Sequence, residues 1–325
     1  ALGGDRRHSL SAVSRQSGLS RDFLRRLLQA NGRPIAAPRQ RAYTDDDVEL
    51  ARRIKLLIDA GIPREGVLET ARVTGQALSQ IAESVRRTTV SPLLQPDDTD
   101  MTLALRYVQT ADALSPEVAA VLDLIFRAQL RDGIRSDLVA EAERDTGKQS
   151  GTHEIAVAFA DLVGYTKLGE SVPTERLGEI ATRLAELTTA ALHRPTQIVK
   201  TIGDAVMLVS PEVDPMLETI QALVAAAEAE GEGFPALRVG VAFGAATPRA
   251  GDWFGSTVNL ASRATDVGKG GRIYATPAVV ERADGSYQWR RSRKRNLKGV
   301  DGRVRLYALL PPDAAGSDSP SESAE

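Results

Sequence analysis

Near Glu154 the hydrophobic period of the chain changes from about 3.6 residues to about 2, so one half must be helical and the other must contain a sheet. From Ser9 to about Gly147 apolar residues recur at helical spacing. Thr44 can cap a helix whose first turn is Asp45-Asp46-Asp47, carboxylates suited to the positive end of the helix dipole. Val48, Ala51, Ile54, Leu57 and Ile58 then line one face. Ser115-Pro116 reads as a second start, serine capping and proline in the first turn, ahead of Val118, Val121, Leu122 and Ile125.

Beyond Glu154, Ile155, Val157 and Phe159 alternate with small or polar neighbours, as in a strand over 155–160. The pattern then predicts a helix near 174–192, a hairpin over 198–209, a helix near 215–228 and a strand over 237–243. A helix near 257–267 and strands near 272–275 and 303–309 complete the series. Helices interleaved with a hairpin-containing sheet predict an α+β domain with a mixed sheet and flanking helices, preceded by an all-α domain. The expected division is a helical domain at 1–130, a linker or switch helix at 131–152, the α+β domain at 153–311 and a disordered acidic tail at 312–325.

Composition excludes several chemistries. With no cysteine there are no disulfides, thiolate zinc sites or cysteine nucleophiles, and any metal must rest on carboxylates or the three histidines. A formal net charge of −2 names no partner. No apolar run reaches the about 18 residues of a membrane span, and the first residues lack a signal-peptide core, so a cytoplasmic protein is expected.

Three stretches place ionisable groups where burial is expected. FADLVGYT, residues 159–166, brings Asp161 out of an apolar strand, and Gly164 allows the following turn to present backbone N–H groups to an anion. A turn former or helix cap is the plainer reading of that aspartate. In IVKTIGDAVMLV, residues 198–209, Gly203-Asp204 suits a two-residue hairpin turn, while Lys200 lies inside the first strand, where a charge needs a partner, a ligand or water. In GDWFGSTVNLASR, residues 251–263, Asn259 and Arg263 are one helical turn apart and suit sugar hydroxyls and phosphate, or simply solvent. Trp253 and Phe254, beside Asp252, are expected to pack a loop against the sheet.

In this order and at these separations the three segments resemble the signature segments of the class III nucleotidyl cyclases, and the resemblance runs from about His153 to Leu310. It implies the ferredoxin-like catalytic fold of that family. It also implies Asp161 and Asp204 as carboxylate ligands of two divalent cations, Mg2+ or Mn2+, with the Leu162 carbonyl as a further ligand. Lys200 and Asp252 become the base-selecting pair, Asn259 orients the ribose, and Arg263 faces the charge developing at the α-phosphate. Gly164, Tyr165 and Thr166 offer donors to the triphosphate, and Lys298 in NLKGVDGRVRLYAL is a further triphosphate contact. The implied reaction is conversion of ATP to 3',5'-cyclic AMP and pyrophosphate. Because the family's site lies between two catalytic domains and this chain has one with a complete set, the implied assembly is a head-to-tail homodimer.

The helical half is similar to the amino-terminal regulatory domain of actinobacterial adenylate cyclases of this class, including mycobacterial enzymes that respond to pH. Residues 9–69 also resemble the helix-turn-helix of MerR-type regulators, and residues 1–60 hold twelve Lys or Arg against seven Asp or Glu. A rival reading follows, a DNA-binding regulator whose cyclase-like half senses nucleotide. The complete set of metal and transition-state residues favours the enzyme.

Overall fold

The computed structural model describes residues 4–37, 39–90, 99–142, 152–249, 251–300 and 302–311. The chain divides into two compact units, residues 1–135 and 136–325.

The first unit is helical, with α1 (Leu10–Ser17), α2 (Arg21–Ala30), α3 (Asp45–Asp59), α4 (Arg64–Val90) and α5 (Asp100–Ala142). Local signals set the starts. Ser9 and Ser20 cap α1 and α2, and Thr44 and Asp47 form a reciprocal capping box at α3. Leu10, Val13, Phe23, Leu24, Leu27, Val48 and Ala51 close a small core among α1, α2 and α3, with Val67 and Leu68 of α4 added. The Ser115-Pro116 start is not used: Pro116 lies inside the 43-residue α5. Alanine and leucine on both sides, in TADAL and EVAAVLDL, keep the helix going despite the missing N–H. Helix α5 also runs on past Gly133 to Ala142, through the first half of the expected linker. Residues 143–151 of that linker and the 312–325 tail lie outside the described residues.

The second unit contains β1 (His153–Leu162), α6 (Tyr165–Leu168), α7 (Thr174–Ala190), β2 (Gln197–Ile202), β3 (Ala205–Ser210), α8 (Val213–Ala229), β4 (Leu237–Arg249), β5 (Asp252–Phe254) and α9 (Ser256–Asp266). It continues with β6 (Arg272–Ala275), α10 (Pro277–Val280), β7 (Trp289–Arg291), β8 (Arg295–Asn296), β9 (Arg303–Val304) and β10 (Tyr307–Leu309). The main sheet runs β2-β3-β1-β4-β6-β10-β7, with β5 folded back on the end of β4 and only β4 and β6 parallel among its pairs. This is the expected α+β fold, a mixed sheet with flanking helices.

The strand expected over 303–309 is instead two short strands, because β9 pairs with β8 in a separate ribbon while β10 joins the main sheet. Leu306 between them is buried, and its carbonyl accepts from both the N–H and the Oγ of Ser292, at 3.0 and 2.7 Å. That side-chain bond turns the chain between the two pairings.

Alternation along β1 divides the core. Ala156, Ala158, Ala160 and Leu162 face α7 and α8, where Leu184, Met216, Leu217, Ile220 and Leu223 are fully buried. Ile155 and Val157 face the other side, covered by Ala261 of α9 and by Trp253. Asp161 and Arg238 fall on that second face by the same alternation, near the end of their strands.

Candidate active site

The central strands and their turns bring four of the expected residues together as two pairs, Asp161 with Asp204 and Lys200 with Asp252. Asp161 is the penultimate residue of β1, directly opposite Ala205 on one side and Arg238 on the other. Asp204 completes the two-residue turn between β2 and β3, with Gly203 at φ 60, and its carbonyl accepts the N–H of Leu162 at 3.1 Å. The hairpin tip is thereby fastened to the end of β1, next to Asp161.

Burial pushes the Asp161 carboxyl above the usual carboxylate range, the Arg238 guanidinium draws it back, and the charges of Asp204 and Asp266 push it up again. A carboxylate that stays costly to ionise beside a second carboxylate is suited to receive a cation. The donor set is two carboxylates with a backbone carbonyl nearby, and among the described residues no cluster of three or more Asp, Glu or His completes a cage. Magnesium fits such a set, since it commonly binds through one or two carboxylates and takes its remaining ligands from water and substrate phosphates.

Lys200 reaches Asp252 through a β-bulge. Ile198 pairs with Leu208, but Lys200 pairs with Met207, so Val199 is the extra residue. Leu208 faces α7 and α8 whereas Met207 faces the α9 side. Without the bulge, Lys200 would follow Ile198 onto the helix-covered face. With it, the ammonium forms an ion pair with Asp252 on β5, the two side chains being 38% and 27% exposed. The other carboxylate oxygen of Asp252 accepts the N–H of Trp253 at 2.9 Å, which fixes its rotation. Trp253 packs as expected, while Phe254 differs, being 54% exposed.

Helix α9 carries Asn259, exposed, and Arg263, which donates to Asp266 at 2.9 Å. Two glycines of β4 make its seat. A Cβ on Gly240 would lie 2.3 Å from the Thr265 nitrogen and 2.5 Å from the Ala261 oxygen, and one on Gly244 would lie 2.9 Å from the Thr257 hydroxyl. Threonines fasten both ends of the helix, Thr257 to the Ala245 carbonyl at 2.8 Å and Thr265 to the Phe159 carbonyl of β1 at 3.2 Å. Neither the glycine seat nor these threonines are singled out by the sequence reading. Arg238 is missed as well, although a charge inside LRVGVAF invites the question that Lys200 raises in its own strand.

Of the other expected residues, Gly164 is left-handed at φ 78 and opens the single turn of α6. The Tyr165 hydroxyl donates to the Leu177 carbonyl at 2.8 Å, so it braces α7, and Thr166 is exposed. The Leu162 side chain is buried among α7 and α8, which leaves its backbone for any ligand role. Lys298 is exposed in a turn after β8. No described helix is long and apolar enough to cross a membrane.

The chain matches known proteins across both of its units. A family model described as "Adenylate and Guanylate cyclase catalytic domain" matches residues 148–311, and one described as "Adenylate cyclase regulatory domain" matches residues 2–134. The pH-sensitive adenylate cyclase MT1302 of Mycobacterium tuberculosis is 37% identical over 93% of this chain and 77% of its own length. An adenylate cyclase of Streptomyces coelicolor is 34% identical over 86% of this chain and 72% of its own. Among solved structures, the adenylyl cyclase CyaB from P. aeruginosa is 19% identical with a TM-score of 0.43, covering 55% of this chain and all of that one. Matched at this identity over nearly its whole length, the chain belongs to the class III adenylate cyclases, in the branch that places a regulatory domain ahead of the catalytic one.

Proposed function

We propose that the chain converts ATP to 3',5'-cyclic AMP and pyrophosphate at sites shared between two copies, and that residues 1–130 regulate the reaction through the 131–152 segment. The observation that carries the reading is the fastening of the Asp204 turn to the end of β1, which holds two carboxylates beside each other at one end of the central strands.

Asp161 and Asp204, with the Leu162 carbonyl, would hold two divalent cations, Mg2+ or Mn2+. When bound, the cations supply Lewis acidity to the ribose 3'-hydroxyl and neutralise triphosphate charge. The remaining work falls to the chain. Lys200 donates to adenine N1 and Asp252 accepts from the N6 amino group. Their mutual ion pair supports this role, because it keeps a donor and an acceptor side by side. Guanine presents the reverse polarity, so GTP would leave both groups mismatched.

Asn259 orients the ribose, and Arg263 leaves Asp266 to meet charge that grows at the α-phosphate, a role worth about 10³–10⁵ in rate where it occurs in phosphoryl transfer. The amides after Gly164, the Thr166 hydroxyl and Lys298 receive the triphosphate, with the Tyr165 hydroxyl kept for α7. The shared site is supported by apolar residues left uncovered around it, Val163, Ile202 and Phe254, which are 40%, 51% and 54% exposed. A second catalytic domain would bury them and bring its own Lys200 and Arg263 to Asp161 and Asp204.

Incubating the purified protein with ATP or GTP and Mn2+ or Mg2+, and following the cyclic product, tests the reading. Cyclic AMP formation that disappears in Asp204→Ala is expected. Turnover that survives this substitution would remove Asp204 from the metal site.

A further inference from the structure

The cations of the first helices fall into two groups. Arg7, Arg26, Arg33, Arg53 and Lys55 each meet a carboxylate, of Asp5, Glu65, Asp47, Glu49 and Asp59 in turn. Arg21 and Arg25 of α2, and Arg39 and Arg41 in the loop before α3, are exposed and meet no carboxylate among the described residues. Helix α2 is also presented in a fixed way. Three residues, Gly18-Leu19-Ser20, separate it from α1, and Gly18 is left-handed at φ 76. The Ser14 hydroxyl donates to the Leu19 carbonyl at 2.7 Å, and Ser20 caps α2 by accepting the Phe23 N–H at 3.2 Å. Phe23, Leu24, Leu27 and Leu28 are buried in the core, so the outward face carries Arg21, Arg25 and Gln29 as one stripe, about 12 Å long at 1.5 Å per residue. Asp22 is the sole carboxylate of α2, in the first turn, where the helix dipole favours it. An antiparallel bridge between His8 and Tyr43 ties the loop of Arg39 and Arg41 to the start of α1.

We propose that this face docks on double-stranded DNA, with α2 in the major groove and Arg39 and Arg41 supplying phosphate contacts. The inference stands apart from the proposed cyclisation, which uses none of these residues. A second helix held by a short glycine-containing turn fits a groove about 12 Å wide, and arginine and glutamine are side chains that donate to base edges. Arginines left without carboxylates are free to replace the counterions of phosphate, and this supplies affinity before any base is read. An anionic membrane would attract the same charges. A helix lying in a lipid interface, however, inserts an apolar face, and the four large apolar residues of α2 are already committed to the core.

The test is fluorescence anisotropy of a labelled duplex of mixed sequence, about 30 base pairs long, titrated with the full chain at about 50 and about 200 mM salt. Four cations meeting phosphate give a slope of about −3.6 per protomer in log K against log salt, so binding should weaken about a hundredfold across that range. Arg21→Gln with Arg25→Gln should weaken binding at the lower salt by about tenfold or more, and Arg39→Gln with Arg41→Gln should flatten the slope by about two. Arg53→Gln, taken from a neutralised pair on α3, should bind as wild type does. Far-ultraviolet circular dichroism confirms that each variant is folded, and should one pair of substitutions fail to fold, the other decides. Absence of duplex binding at the lower salt, or binding that the folded variants leave unchanged, would overturn the proposal. Cosedimentation with phosphatidylglycerol vesicles that is lost in the same variants, with duplex binding unaffected, would assign the face to an anionic membrane instead.

Discussion

Gly240→Ala places one methyl group between β4 and α9, and its effect follows from the distances. The new carbon would stand 2.3 Å from the Thr265 nitrogen, 2.5 Å from the Ala261 oxygen and 2.6 Å from the Thr265 hydroxyl. Comfortable contacts of this kind are about 3.5 Å, so the overlap is about 1 Å and the obstructing atoms are largely backbone. The strand is central and cannot retreat, because β1 and β6 flank it. Helix α9 must therefore lift, stretching the Thr265 bond to β1 and carrying Asn259 and Arg263 with it. Overpacking of this kind costs about 1–3 kcal/mol. A displacement of about 1 Å at groups that act on the transition state costs about 10²-fold in rate.

The assay is cyclic AMP formation at saturating ATP, with a denaturant titration beside it. We expect kcat to fall by about 10²-fold with KM changed far less, since the proposed base-selecting pair sits on β2 and β5 rather than on α9. Gly178→Ala is the internal control. That glycine lies in α7, and a Cβ there meets nothing within 4 Å. The control should gain about 0.5–1 kcal/mol of stability and keep its kcat. Wild-type kcat and stability in Gly240→Ala would refute the argument that the glycine seat sets the position of α9.

Two further outcomes test separate parts of the account. Lys200→Gln keeps a donor but loses the ion pair with Asp252, so the ratio of kcat/KM for ATP over GTP should fall by about ten- to a hundredfold, measured with each nucleotide alone; an unchanged ratio would remove Lys200 from base selection. Tyr287 lies beside Asp214, Glu218 and Asp284, and burial first, then these carboxylates, push its phenol up to about 12 from an ordinary 10.0. The folded state therefore retains a proton that the unfolded chain gives up first, and the stability contributed by the neutral phenol is lost as pH rises from about 10 to about 12. Urea midpoints across that window should fall more steeply for wild type than for Tyr287→Phe, and parallel curves would contradict the assignment.

Much of this was legible in the sequence because the signals were local. The switch of period near Glu154, the threonine-aspartate start of α3 and the Gly203-Asp204 turn each depend on residues within a few positions of one another, and the structure bears them out. The signals that misled were also local but outweighed: Pro116 marks a helix start in isolation, and the helix-forming residues around it carry α5 through. What was not legible depends on pairing. The bulge at Val199, which turns Lys200 toward Asp252, exists only relative to β3. Arg238 meets Asp161 across 77 positions of chain, and Gly240 matters only because α9 lies on it. The three cyclase-like segments marked the residues offered for chemistry. The residues that aim them, Arg238, Gly240, Gly244, Thr257 and Thr265, lie mostly outside those segments.

The central claim is that one chain gives Asp204 to one nucleotide and Lys200 to another. Mixing Asp204→Ala chains with Lys200→Ala chains, each inactive alone, tests it by cyclic AMP production after subunit exchange. Random pairing leaves one intact site in each mixed dimer, so activity should return to about a quarter of the wild-type value. Exchange confirmed by differently tagged chains with no return of activity would contradict the shared site.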